Sequence, residues 1–123
     1  MAMLAMLISF FACDEDMYYE PSNYPHKMIF KGVVYNTEFT PVEGIRITFS
    51  TPDNLNHDTV YSDSTGVWYL KRTLEFAGPN KVRVRDIDQG AHGGTFLPLD
   101  STFYITKNQY DSNLVIMDFK LLQ

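Results

Sequence analysis

From Met28 to the C-terminus, apolar residues fall at every second position, in short runs separated by Gly, Pro, Asn and Asp. Successive side chains of a strand point to opposite faces, so this period of two predicts half-buried β-strands. In MIFKGVVY, Met28, Phe30, Gly32 and Val34 share a face. In GIRITFS, Ile45, Ile47 and Phe49 alternate with Arg46, Thr48 and Ser50, and Pro41 stops the first strand from running on. Strands over 58–62 and 67–73 flank Asp63-Ser64-Thr65-Gly66. That spacing predicts a hairpin in which Gly66 supplies a positive φ and Trp68 and Leu70 enter the core. Gly78-Pro79-Asn80 turns the chain into a strand over 81–86, where Val82 and Val84 alternate with Lys81, Arg83 and Arg85. A glycine-rich loop over 87–98 precedes strands near 101–106 and from about 113 to 121. In the last of these Val115, Met117 and Phe119 share a side. Seven short strands with turn residues between them predict an all-β sandwich.

The strands are preceded by MAMLAMLISFFA, apolar apart from Ser9 and without a charge. A spanning helix needs about 20 apolar residues, so this run is too short to cross a bilayer and matches the apolar core of a signal peptide. It ends at Ala12-Cys13 and turns acidic at Asp14-Glu15-Asp16. This arrangement resembles a bacterial lipobox, in which a small residue precedes the cysteine that is lipidated. Phe10 stands where such signals usually carry Leu. The resemblance implies a signal peptide over 1–12, lipidation at Cys13 and export. Acids directly after the cysteine resemble the surface-export signal of Bacteroidota-type lipoproteins, which implies the outer membrane and its outer face. The alternative is an N-terminal helix or strand packed on the domain, with Cys13 a free thiol. Residues 13–26 carry four acids, no Lys or Arg, two prolines and three tyrosines, which predicts an extended acidic tether. The sandwich domain is then 27–123.

A chain of 123 residues, 45% hydrophobic, can bury a core without disulfide staples. The net charge of −5 argues against nucleic acid as a partner, because phosphate binding needs clustered positive charge. Lys81, Arg83 and Arg85 do alternate along one strand; a solvated strand face is the expectation for them.

Gly32-Val33-Val34, Pro41-Val42-Glu43-Gly44-Ile45-Arg46-Ile47 and Asp63-Ser64-Thr65-Gly66-Val67-Trp68-Tyr69-Leu70 resemble the signature of carboxypeptidase-regulatory-like domains. That resemblance implies a seven-stranded, immunoglobulin-like or transthyretin-like (prealbumin-like) sandwich. A narrower one rests on Met17-Tyr18-Tyr19-Glu20-Pro21, Asp86-Ile87-Asp88-Gln89-Gly90 and Gly93-Gly94-Thr95-Phe96. These look like a lipoprotein family encoded beside a radical S-adenosylmethionine (radical SAM) enzyme in Bacteroidota. The family implies export, lipidation and a genetic link to that enzyme.

Catalytic chemistry finds little support. His26, His57 and His92 are expected in three separate loops without zinc-site spacing, and no Gly-x-Ser-x-Gly turn presents a nucleophile. The best candidate site is the loop over 86–94. Asp86 and Asp88, with Asp100, could begin a Ca²⁺ shell, and Gly90, His92, Gly93 and Gly94 make the loop a candidate binding surface. Aspartates that cap turns are the commoner arrangement and are the expectation, with no cofactor required. Tyr61, Tyr69, Tyr104 and Tyr110 could offer aromatic contacts to a glycan or protein. The sequence therefore leads to a non-enzymatic binding or structural module at the cell envelope. Its partners would be the membrane through the lipid and an envelope protein or glycan. A client of the radical SAM enzyme and a hydrolase assembled in space are the alternatives.

Overall fold

Burial follows the alternation in the sequence. In β1 (His26–Tyr35) Met28, Phe30, Gly32 and Val34 are buried; in β2 (Ile45–Ser50) Ile45, Ile47 and Phe49 are. The computed structural model describes residues 25–52, 57–74, 78–87 and 95–123. Among these, β3 (His57–Tyr61), β4 (Val67–Leu74), β5 (Asn80–Asp86), β6 (Leu99–Phe103), α1 (Lys107–Ser112), β7 (Leu114–Ile116) and β8 (Phe119–Lys120) complete the elements. The first sheet pairs β4 antiparallel to β1, with β7 and β8 parallel to β1 on its other side; the second runs β3-β2-β5-β6, antiparallel throughout. The all-β sandwich expected from the sequence is the fold.

The sheets meet on aromatic rings. Phe49 of the second sheet lies 5.0 Å from Phe30 and 5.5 Å from Trp68 of the first, and 6.1 Å from Phe103 beside it, centroid to centroid. Trp68 stacks on Phe119 at 5.7 Å. Such large rings supply most of the apolar area a thin sandwich can bury. Arg72 shares the inward face of β4 with Trp68 and Leu74 and is buried. Its Nη1 donates to Asp58 Oδ2 on β3 at 2.7 Å and to the Phe49 carbonyl at 3.3 Å, so one guanidinium ties the two sheets together at their rim.

Three details differ from the strand pattern read in the sequence. The segments around Asp63–Gly66 do not form a hairpin, because β3 pairs with β2 and β4 with β1. The turn is instead a corner between sheets. Ser62 exchanges backbone bonds with Gly44 and Ile45 on one side, while Val34 donates to the Gly66 carbonyl on the other. Gly66 has φ +75°, as expected, and Asp63 Oδ1 accepts from the Thr65 and Val67 amides. The expected strand over 101–106 stops at Phe103, and a short helix follows. Thr106 and Gln109 close a capping box around its start, and Asn113 ends it in the left-handed conformation. This turn of helix carries the chain from the second sheet back to the first.

The expected last strand is split into β7 and β8, although both keep one register with β1, Phe30 facing Val115 and Val34 facing Phe119. The gap lies opposite Gly32 and Val33. A Cβ on Gly32 would sit 1.5 Å from the Met117 carbonyl oxygen, so the backbone of the last segment rides over the glycine. Asp118 Oδ1 accepts the Val33 amide at 2.9 Å in place of a backbone carbonyl. Gly32→Ala should therefore lower stability by at least about 2 kcal/mol, as overpacking against backbone does. Denaturant unfolding measures this, and an unshifted midpoint would contradict the close approach.

Candidate functional site

Of the aspartates singled out in the sequence, Asp86 and Asp100 are among the described residues, and they do not converge. Asp86 continues the inward row of Val82 and Val84 at the end of β5, and its Oδ2 accepts the Phe96 amide at 2.9 Å, which is a loop-tethering role. Asp100 stands on the outward row of β6 with Thr102. The two carboxylates thus lie on opposite faces of one sheet. Among the described residues no three of His, Cys, Asp and Glu gather as a metal-binding group. Cys13, Asp88, Gly90, His92, Gly93 and Gly94 lie outside the described residues, while His26 and His57, expected in loops, open β1 and β3. The tyrosines also part company. Tyr61 and Tyr69 are exposed on different sheets, Tyr104 is half-buried, and Tyr110 is buried with its ring 5.3 Å from His26.

The register of the second sheet brings other residues together. With Phe49 opposite Val82 and Ile47 opposite Val84 on the inside, Arg46 faces Arg85 and Thr48 faces Arg83 on the outside. Across the other edge of β2, Arg46 faces Tyr61, and the Thr48 and Thr59 hydroxyls are 3.2 Å apart. Lys81 continues the outward row of β5. Directly opposed side chains have Cβ atoms about 5 Å apart, and like charges in that position destabilise a sheet. One carboxylate stands on the outward rows of these four strands, that of Asp100. Arg85 holds it in a fork, Nη1 to Oδ1 at 2.7 Å and Nη2 to Oδ2 at 3.1 Å.

All ten Lys and Arg of the chain are placed, and four lie on each outer sheet face, with Arg72 inside and Lys107 on α1. The first sheet's face is of another kind. Lys27, Lys31, Lys71 and Lys120 stand there among exposed Val67, Tyr69 and Ile116. Phe39 stacks on Tyr35 at 5.4 Å with Lys120 Nζ 4.9 Å from its centroid. An open cleft of about 400 Å³ lies on this side, lined by Lys27, Ile29, Lys71 and Asn113 among others. The contrast depends on the register, which the alternation of single strands does not disclose.

The hydrogen bond from Arg85, joined by the fields of Arg85, Arg83 and Lys81, holds the Asp100 carboxyl below its ordinary value of 3.8. A carboxylate whose pKa is depressed by folding stabilises the protein above its unfolded pKa and loses that contribution as pH falls through the folded value. The Asp100 side chain is 59% exposed, so screening keeps the contribution under about 1 kcal/mol. Denaturant unfolding of wild type and Asp100→Asn should differ most above the ordinary carboxylate range and converge as pH falls through the lowered pKa of the folded carboxyl. A difference that grows on acidification would contradict the pairing.

No family model matches the chain, and no curated protein matches it. Solved structures do share its fold. Chlorocatechol 1,2-dioxygenase from Pseudomonas putida aligns at 16% identity and TM-score 0.55 over 80% of this chain and 61% of its own. The major pilin subunit of Bacillus cereus aligns at 14% identity and TM-score 0.56 over 79% of this chain and 30% of its own. The dioxygenase domain of a dioxygenase–carbohydrate-binding protein fusion from Streptomyces sp. SirexAA-E aligns at 12% identity and TM-score 0.57 over 82% and 83%. The chain spans less than two thirds of the first two proteins. At these identities the likeness is one of fold, an immunoglobulin-like or transthyretin-like sandwich shared by enzymes and a structural subunit alike.

Proposed function

We propose that this chain is a non-enzymatic binding or structural module of the cell envelope, anchored to the outer membrane by lipid on Cys13. Its working surface is the outer face of the β3-β2-β5-β6 sheet. The observation that carries this reading is the opposition of Arg46 and Arg85 on an open face whose outward rows hold one acid. Asp100 meets one of these charges, and in a chain of net charge −5 a partner that meets the others accounts for four cations on one face. The fold likenesses support neither an enzyme nor a pilin over the other. The apolar leader, the cysteine and the acidic run after it support the anchor. Several acyl chains, each buried CH₂ contributing about 0.8 kcal/mol, hold such a protein on a bilayer.

Labelled palmitate should enter the wild-type chain expressed in a bacterium with an outer membrane, and should be lost on Cys13→Ala. Equal labelling of the variant would refute lipidation at that residue, while leaving the reading of the sheet face to its own test.

A further inference from the structure

The four cations of the second sheet stand on the outward rows of two paired strands. Side chains two apart on β5 are about 7 Å from one another, and neighbouring strands about 4.8 Å. Lys81, Arg83 and Arg85 therefore form a row along β5, and Arg46 widens it toward β3. A single small anion would use only part of this patch. A row of cations at this spacing suits a chain-like ligand that bears anions at intervals.

The face also shows how it receives an anion. Its own carboxylate, Asp100, is gripped by both terminal nitrogens of Arg85, the bidentate geometry that guanidinium offers to carboxylates in general. Threonine hydroxyls at Thr48 and Thr59 lie among the cations, and Tyr61, 51% exposed, lies directly across from Arg46. Hydroxyl donors and acceptors beside an amphipathic ring suit the hydroxyl-rich surface of a sugar. Single-stranded nucleic acid asks for several stacking platforms in a positively charged groove, and these outward rows offer one exposed tyrosine. A bilayer asks for exposed apolar side chains. Tyr61 aside, those of the strands, Val67, Tyr69 and Ile116, are on the opposite sheet, and Ile87 and Leu97 lie in the connection between β5 and β6.

We propose that the outer face of the second sheet, built from Arg46, Lys81, Arg83 and Arg85 with Thr48 and Tyr61, binds an acidic polysaccharide. The inference rests on the reading of this face as the working surface and names its ligand class.

The test measures affinity of the full-length chain for polygalacturonate, neutral dextran, a deoxythymidine homopolymer and phosphatidylglycerol vesicles. Polygalacturonate should bind, more weakly as salt rises, and dextran should not. Removing two guanidiniums in Arg46→Ser/Arg83→Ser should weaken binding at least about tenfold, since each charged hydrogen bond lost is worth about that factor. Lys31→Ser/Lys71→Ser removes the same charge from the other sheet and should leave binding unchanged. Near-ultraviolet circular dichroism from Trp68 confirms that each variant is folded, and Arg46→Lys/Arg83→Lys should restore part of the affinity. Equal loss in both serine pairs would mean that net charge alone attracts the polymer, and overturns the proposal. Undiminished binding by Arg46→Ser/Arg83→Ser overturns the face itself. Inert polygalacturonate, with DNA or vesicle binding that this pair abolishes, keeps the face and overturns the polysaccharide.

Discussion

The pairing of β2 with β5 is the constraint from which the rest of this structure follows. Phe49 sits opposite Val82 with its ring against Phe30, Trp68 and Phe103, and the same register puts Ile47 opposite Val84 on the inside beside it. A slip of one residue would turn every apolar side chain of the strand to solvent. The same register leaves Arg46 no choice but to face Arg85. Core packing thus writes the pattern of charge on the outside, where Asp100 compensates one of the opposed cations through Arg85.

Closure of the first sheet depends on a second close fit. The chain leaves β6, makes the single turn of α1, and returns as a parallel neighbour of β1, which a tight hairpin cannot do. Its last segment crosses β1 where Gly32 has no side chain, and Asp118 supplies the acceptor that the displaced backbone withholds from Val33. Arg72 joins the sheets at the rim, where the half-exposed Asp58 carboxylate compensates its buried charge.

Much of this fold was legible in the sequence because strands report burial with a period of two. Met28, Phe30, Ile45, Ile47, Phe49, Trp68, Val82, Val84, Val115, Met117 and Phe119 all face the core as that pattern requires. Pairing partners were not legible. Asp63-Ser64-Thr65-Gly66 signals a turn equally well within a sheet or between sheets, and only the long-range partners of Ser62 and Gly66 distinguish the two. Arg72 occupies an apolar slot of β4 and is tolerated by a partner that is near in space alone. The helix was readable after the fact in Thr106 and Gln109, but six residues are too few to show a helical period. Asp86 and Asp100 stayed candidates for a cation shell, beside the expected turn-capping role, because spacing does not reveal that they lie on opposite faces. Lys81, Arg83 and Arg85 looked like a solvated row because Arg46 joins them only through the register.

The account places function on a face, not in a loop or a pocket, and a face can be mapped directly. Backbone amide shifts recorded while polygalacturonate is added to the folded chain locate the contact residue by residue. Shifts clustered at Arg46, Thr48, Tyr61, Arg83 and Arg85 are the result this account predicts. Shifts confined to Ile29, Lys31 and Tyr69 across the sandwich, or none on either sheet, would contradict it.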